Sequence, residues 1–272
     1  MPSLTDRTDI FAWQNFLHGR GFALPRFGVD GDFGGETADA TRAYQTQEGL
    51  SVTGDADAAT LAHAATHGFV LPGHPTNVPP EQSGPGWPPR PADLTPPSVA
   101  SQQALFGPLE AVSAPIEGNP EAIRIINGFA QNIVRVPIPE LAGIPGAPGN
   151  GSIWWHQKAT AQIQALWTAW GRAGLVGRVL GWGGSYVPRY IRGSTTQLSN
   201  HAFGVAFDID VPWNMLGAQP ALVGHTGCVR ELVPIANKLG FYWGGHYQGR
   251  LDGMHFEVSK LMTAEQIAAA IA

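Results

Sequence analysis

The sequence has a single cysteine, few charged residues and no long apolar run. Cys228 alone excludes an internal disulfide framework and a cysteine-rich zinc site. Charged residues make up 14% of the 272 residues, against about 25% in an average protein. The net charge of −5 argues against nucleic acid as the main partner. No stretch of about 18 apolar residues occurs, so we expect no membrane insertion.

The start of the chain also lacks the features of a secretory signal peptide. Residues 1–17 contain no basic segment followed by an apolar one. We therefore expect the protein to be made in the cytoplasm and, if it acts elsewhere, to be released by another route. Apolar residues make up 43% of the chain, which is enough for a folded core despite the 35 glycines and 23 prolines.

Three segments differ in composition. Residues 1–68 hold 4 Arg and 9 Asp or Glu, so this segment alone carries the net charge of −5. Residues 69–98 hold 10 of the 23 prolines, which predicts an extended, semi-rigid linker. The alternative for this segment is an ordered strap on the next domain. Residues 99–272 have balanced charge and are predicted to form the larger domain.

Hydrophobic periodicity predicts a small helical bundle followed by an α+β domain. Apolar residues recur at helical spacing in the first segment, whereas period-two alternation surrounds Asp208 and His255 in the last one. Because helices and strands mix without a βαβ rhythm, we expect an α+β fold with a central antiparallel sheet. The first predicted helix begins at Thr8 or Asp9. Further helices are predicted over 36–48, over 58–66 with Asp57 as the cap, over 160–172 and over 232–239. Thr263 and Gln266 form a capping box that opens a C-terminal helix.

Ligand-type side chains concentrate in the two predicted strands. Asp208 stands between apolar neighbours, and so does His255. A buried carboxylate is costly unless it is paired or binds a metal ion. Together with His201, these residues make two imidazoles and one carboxylate, a usual ligand set for catalytic zinc with one position open. Each residue taken alone is explained as well by an ordinary hydrogen bond or ion pair.

Two short motifs in this region resemble a known enzyme family. The pattern S-x-H-x-x-G-x-A-x-D is followed downstream by D-x-x-H, and the matching residues are Ser199, His201, Gly204, Ala206, Asp208, Asp252 and His255. Over about residues 150–260 the chain resembles the zinc D-alanyl-D-alanine carboxypeptidase / L-alanyl-D-glutamate peptidase family. The resemblance implies one zinc ion held by His201, Asp208 and His255.

The resemblance also implies catalytic roles. Asp252 occupies the position of the general base, which takes a proton from the attacking water. Because residues three apart in a strand point to opposite faces, Asp252 has to lie in the turn before the strand, where Gly253 gives freedom. Glu257 is the rival for the base, and we prefer it as a residue that orients His255. Asp210 could act in a similar way on Asp208.

An arginine upstream of the first motif holds the developing oxyanion in that family. Arg189 and Arg192 are the candidates here, and we favour Arg189 because a guanidinium keeps its charge and a planar fork. Ser199 either binds substrate or only shapes its turn. Trp243, which precedes two glycines, is the second candidate for substrate binding as a groove wall. We expect His246 at the rim of the groove.

Residues 8–67 resemble a second family, the three-helix peptidoglycan-binding domain. The matching residues are Val29, Asp30, Gly31, Asp32, Phe33, Gly34, Thr37, Ala43, Tyr44, Gln45, Gly49, Leu50, Gly54, Thr60 and Leu61. Asp30 and the glycines are explained by the tight turn before the second helix. The partner implied by this resemblance is bacterial peptidoglycan.

The two resemblances imply a modular, monomeric peptidoglycan hydrolase. We expect it to cut a stem-peptide bond, with an L-alanyl-D-glutamate endopeptidase favoured over a D-alanyl-D-alanine carboxypeptidase. A non-catalytic peptidoglycan-binding protein is the competing class. Tethering by the first domain is expected to raise the local substrate concentration without changing the bond-breaking step. Release to the cell wall through a holin-type pore, as for a phage endolysin, or by a specialised secretion system would fit a chain without a signal peptide.

Overall fold

The computed structural model describes residues 4, 6–25, 28–67, 69, 71 and 86–271. Within them the hydrophobic residues form a small core around Trp13 and Tyr44 and a larger one around Trp155, Trp167 and Phe207. The smaller core belongs to a helical bundle and the larger to an α+β domain, which confirms the predicted fold class. In the described part of the chain, none of the helices combines the length and the apolar character needed to cross a membrane.

Three helices form the N-terminal domain, as the periodicity predicts. They are α1 (Arg7–Gly19), α2 (Gly35–Gln47) and α3 (Ala58–Thr66). The predicted Asp57 cap of α3 is confirmed, because its side chain accepts from Thr60 N at 2.8 Å. The predicted caps of α1 are wrong: Asp6 precedes this helix and accepts from the backbone N–H of Thr8.

The proline-rich segment lies partly outside the described residues, which omit 70 and 72–85. Its second half, residues 86–98, lies on the larger domain. There Leu94 is buried, and Trp87 packs beside Trp243 with 5.2 Å between ring centroids. Polar contacts between residues 86–98 and the larger domain include His246 Nε2 to the Pro88 carbonyl (2.9 Å), Arg90 to the Tyr242 hydroxyl (3.0 Å) and the Ser259 hydroxyl to the Thr95 carbonyl (2.6 Å). For residues 86–98 the structure thus favours the ordered strap, which is the alternative to the extended, semi-rigid linker predicted from composition.

The larger domain contains four helices and eight strands in its described residues. Their order is α4 (Val99–Phe106), β1 (Ala111–Ser113), β2 (Ile123–Ile125), β3 (Ile133–Pro137), β4 (Ser152–His156), α5 (Thr160–Arg172), β5 (Trp182–Gly184), β6 (Ala206–Ile209), α6 (Val233–Lys238), β7 (Phe241–Trp243), β8 (His255–Val258) and α7 (Ala264–Ile271). The bounds of α5 agree with the prediction. Thr263 and Gln266 make both hydrogen bonds of the predicted capping box before α7.

A four-stranded antiparallel sheet carries the functional region. The strand order is β5-β6-β8-β7. On one face Phe207 and Phe256 are paired in register and stack at 5.4 Å, and both pack against Trp170 of α5. Side chains alternate across a sheet, so their neighbours Asp208 and His255 share the opposite face. The apolar core on one side therefore positions polar groups on the other.

Candidate metal centre

His201 is held by a short 3-10 turn, Asn200–Phe203, that precedes β6. The Ser199 hydroxyl accepts from the backbone N–H of His201 and starts the turn. Gly204 ends it in the left-handed region at φ 67°, which favours glycine. A Cβ at that position would stand 2.7 Å from Cδ1 of Ile133. The motif residues Ser199 and Gly204 thus determine the local backbone that presents the imidazole.

The register of the sheet brings the other two candidate ligands together. Asp208 on β6 pairs with His255 on the antiparallel strand β8. Oδ1 of Asp208 lies 2.9 Å from Nδ1 of His255, and Oδ2 lies 3.2 Å from Nε2 of His201. The two facing imidazole nitrogens are 3.2 Å apart. All three side chains are buried or nearly so, and they line a groove of about 980 Å³.

Hydrogen bonds on the outer side of each ring determine which nitrogen faces this centre. Nδ1 of His201 lies 2.6 Å from the Ser185 carbonyl, and Nε2 of His255 lies 3.1 Å from a Glu257 oxygen. A carbonyl and a carboxylate only accept, so both outer nitrogens carry the hydrogen. The inner nitrogens then direct lone pairs at one point that Asp208 also faces. Such a convergence of donor atoms makes this cluster a candidate metal centre.

The carboxylates and imidazoles of the cluster shift one another's pKa values. Burial alone would raise the pKa of Asp208, but His201 and His255 hold it well below its usual range. Burial alone would lower the pKa of His255, whereas its hydrogen bonds with Asp208 and Glu257 raise it well above its usual range.

The donor set fits a zinc ion. In a tetrahedral site with bonds of 2.0–2.1 Å, ligand atoms stand roughly 3.3 Å apart, close to the spacings of 2.9 to 3.2 Å found here. Two imidazoles and a carboxylate suit that ion, and each imidazole has an outer partner that orients it. Among the described residues, another group of suitable donors comprises Glu48, His63 and His67. There Arg20 already pairs with Glu48 at 3.0 Å.

Asp252 lies in the turn before β8, where the sequence places it. Its carbonyl accepts from the His255 N–H at 3.1 Å. Its side chain lines the same groove, and Oδ1 has no hydrogen-bond partner among the described residues. Burial raises the pKa of Asp252 to about 7, although His255 lowers it. Gly253 has no positive φ; it is required because a Cβ there would meet Pro220 at 2.7 Å.

Glu257 is engaged by three neighbours. It shares a sheet face with His255 and accepts from its Nε2. The Tyr247 hydroxyl donates to Oε1 at 2.6 Å, and the Asn200 side-chain amide donates to Oε2. A carboxylate that is fully buried and occupied in this way can hold an imidazole in place. This arrangement supports the orienting role over the role of base.

The two candidate arginines have different surroundings. Arg189 is largely buried in the groove, and burial lowers the pKa of its guanidinium while Asp208 and Asp252 raise it. Arg192 is 41% exposed at its side chain and pairs with Glu121 at 2.8 Å. Arg189 therefore lines the groove without an acidic partner in direct contact among the described residues and donates to the Tyr190 carbonyl at 3.1 Å, whereas Arg192, which lines the same groove, is engaged in an ion pair.

Two family models match this chain. Residues 192–258, which include the three candidate ligands and Asp252, match the D-alanyl-D-alanine carboxypeptidase family. Residues 6–63 match the peptidoglycan binding domain family. The first match lies within the larger domain and the second within the N-terminal helical bundle. No curated protein and no solved structure matches the chain. The two matches together support a peptidoglycan hydrolase.

Some expected positions in the larger domain need correction. Trp243 is fully buried and donates from Nε1 to the Gly253 carbonyl at 2.7 Å, so it is a core residue and not a groove wall. His246 is also fully buried instead of lying at the rim, because the strap covers it. Asp210 does not orient Asp208; its Oδ1 accepts from the backbone N–H groups of Leu180 and Gly181.

The site also uses groups that sequence reasoning missed. Asn200 directly precedes His201, so it could have been found as a polar side chain next to a candidate ligand, whereas Tyr247 lies eight residues before His255. Ser185 acts on His201 through its backbone carbonyl. No side-chain pattern reveals such a contact.

Proposed function

We propose that the protein is a zinc-dependent peptidase that cuts the bond between L-alanine and D-glutamate in the peptidoglycan stem peptide. The main support for this proposal is that two imidazole nitrogens and the Asp208 carboxylate converge in the groove. Zinc bound there would act as a Lewis acid and lower the pKa of water. The groove of about 980 Å³ can hold several residues of a peptide.

Asp252 is the residue best placed to move protons. Its unpartnered Oδ1 can accept a proton from the water that attacks the peptide carbonyl and then donate it to the leaving amine. A carboxyl whose pKa is raised towards 7 suits both halves of this transfer. Arg189 can hold the carbonyl oxygen as negative charge develops on it. The hydroxyl of Ser199 accepts from the His201 N–H within the turn, and the residue is buried. Both observations support a structural role for Ser199.

The role of Arg189 predicts a loss in turnover more than in binding. Arg189→Lys keeps the charge but loses the planar fork, and we expect kcat to fall about 10²-fold with KM nearly unchanged. The metal content should stay at the wild-type level. Arg192→Lys is the matched control and should remain within about threefold of wild type, since exposed ion pairs contribute little. Steady-state kinetics with equal losses in both variants would contradict the assignment.

Purified cell wall tests the function as a whole. Incubation with the protein should release new amino termini, a chelator should abolish the release, and added zinc should restore it. Binding to the wall without release would support the non-catalytic alternative.

Mass spectrometry of the released fragments identifies the bond. Stem peptides that begin with D-glutamate indicate the endopeptidase. Loss of a terminal D-alanine alone indicates the carboxypeptidase that names the matched family, and it would contradict the preferred substrate bond. A targeted hydrolase gains more from cutting the stem than from trimming its end, which is why we favour the endopeptidase.

A further inference from the structure

The N-terminal domain packs directly against the groove of the larger domain. Helix α1 contacts the loop that follows β6, where the Thr8 hydroxyl donates to Sδ of Met215 at 2.6 Å. On the same helix, Asn15 reaches two glycines of the larger domain. A Cβ at Gly146 would meet Asn15 Oδ1 at 3.4 Å, and one at Gly181 would meet the same side chain at 3.8 Å. The small residues on that surface allow the helix to approach closely.

This contact places side chains of the N-terminal domain in the groove itself. Arg7, Phe11, Val29 and Asp30 line the same groove as His201, Asp208 and Asp252. Arg7 is exposed and Phe11 is half-buried. The groove is therefore assembled from both domains, with a cation and an aromatic ring contributed by the smaller one.

Arg7 and Phe11 are held in place by a neighbouring loop. The Arg7 guanidinium donates to the Asp30 carbonyl at 2.8 Å and lies 5.5 Å from the centre of the Phe11 ring. The loop is fixed by Gln14, whose Oε1 accepts from the Gly31 N–H at 2.7 Å and whose Nε2 donates to Oδ1 of Asp30 at 2.8 Å. Preorganised side chains of this kind lose little entropy when they bind a ligand.

We propose that the N-terminal domain is part of the substrate site, in which Arg7 pairs with a carboxylate of the acidic stem peptide and Phe11 packs against its apolar part. This inference rests on the proposed peptidase function. Guanidinium groups recognise carboxylates through paired N–H donors. The proposal also changes the role of the N-terminal domain, for which the sequence alone predicts only a tether to the cell wall. The domain both binds the wall and shapes the groove where the peptide is cut.

Soluble stem-peptide fragments separate these two roles, because a tether to the polymer cannot help with a substrate that is free in solution. For Arg7→Ala in the full chain, we expect KM for the soluble fragment to rise about tenfold, as for the loss of one charge-assisted hydrogen bond, with kcat within about twofold. Phe11→Leu should show a smaller rise. Arg42→Ala is the matched control, because Arg42 lies in the same domain, outside the groove and in an exposed pair with Asp39. Its KM should stay at the wild-type value.

Calorimetric binding of the soluble fragment to each variant provides a readout that does not need turnover. Weaker binding by Arg7→Ala than by Arg42→Ala, with equal thermal unfolding midpoints, supports the inference. Equal binding by wild type and both variants overturns it and leaves the domain as a tether. If wild type binds the fragment in an Arg7-dependent way but cleaves neither the fragment nor the intact wall, the proposed function fails, and Arg7 keeps only its role in binding the stem peptide.

Discussion

His255→Ala is expected to lose the metal ion and with it the peptidase activity. The substitution removes one of three ligands and leaves Asp208 and His201 alone at the centre. Zinc sites in enzymes usually need three protein ligands. Loss of the ion removes several kcal/mol of transition-state stabilisation, so cleavage of cell wall should fall at least about 10³-fold. Elemental analysis of the purified variant and a cleavage assay measure the two effects.

His225→Ala is the matched control for this prediction. His225 lies in the same domain, is exposed and does not line the groove, so its loss should leave both metal content and activity at the wild-type level. A His255→Ala protein that keeps one equivalent of zinc would show that the ion is held elsewhere. That result would remove the basis of the proposed function.

Asp252→Asn is expected to separate catalysis from metal binding. The amide has nearly the shape of the carboxyl group but cannot accept the proton from the attacking water. Removal of a general base typically costs 10²- to 10⁴-fold, and we expect kcat to fall in that range. The zinc content should remain near wild type, because Asp252 is not among the three groups that converge on the centre.

Glu257→Gln distinguishes the base from its rival. Glu257 accepts from Nε2 of His255, so its amide variant should bind zinc about 10- to 100-fold more weakly and recover most of its activity when zinc is in excess. Asp252→Asn should not recover under the same conditions. If Glu257→Gln stays inactive at saturating zinc while Asp252→Asn stays active, Glu257 is the base.

The motifs predicted the composition of the centre because each motif residue acts locally. Ser199 and Gly204 determine one turn, and the strand alternation determines which side chains share the face of His255. Asp57, Thr263 and Gln266 cap their helices through neighbours in sequence, so their roles were readable as well. Interactions over three or four residues depend little on the remainder of the fold.

Burial was harder to predict from the sequence. Trp243 beside glycines suggests a groove wall, but the strap residue Trp87 and the core cover it. Composition likewise predicts an extended, semi-rigid linker for residues 69–98, because prolines favour extended chain, whereas residues 86–98 lie on the larger domain. Whether an extended chain stays in solvent or lies on a domain depends on the surface it meets, and that surface comes from distant segments.

The sequence by itself determined the α+β class, the helical bundle before it and the identity of the residues that could hold a metal ion. Only the tertiary structure decided that Asp208 and His255 pair across two strands. It also decided that Glu257 accepts a hydrogen bond from His255, and that Arg7 of the N-terminal domain lines the groove. The physical reason is the range of the interactions. Periodicity and capping act within a few residues, whereas register, burial and domain contacts join residues that are tens to hundreds of positions apart.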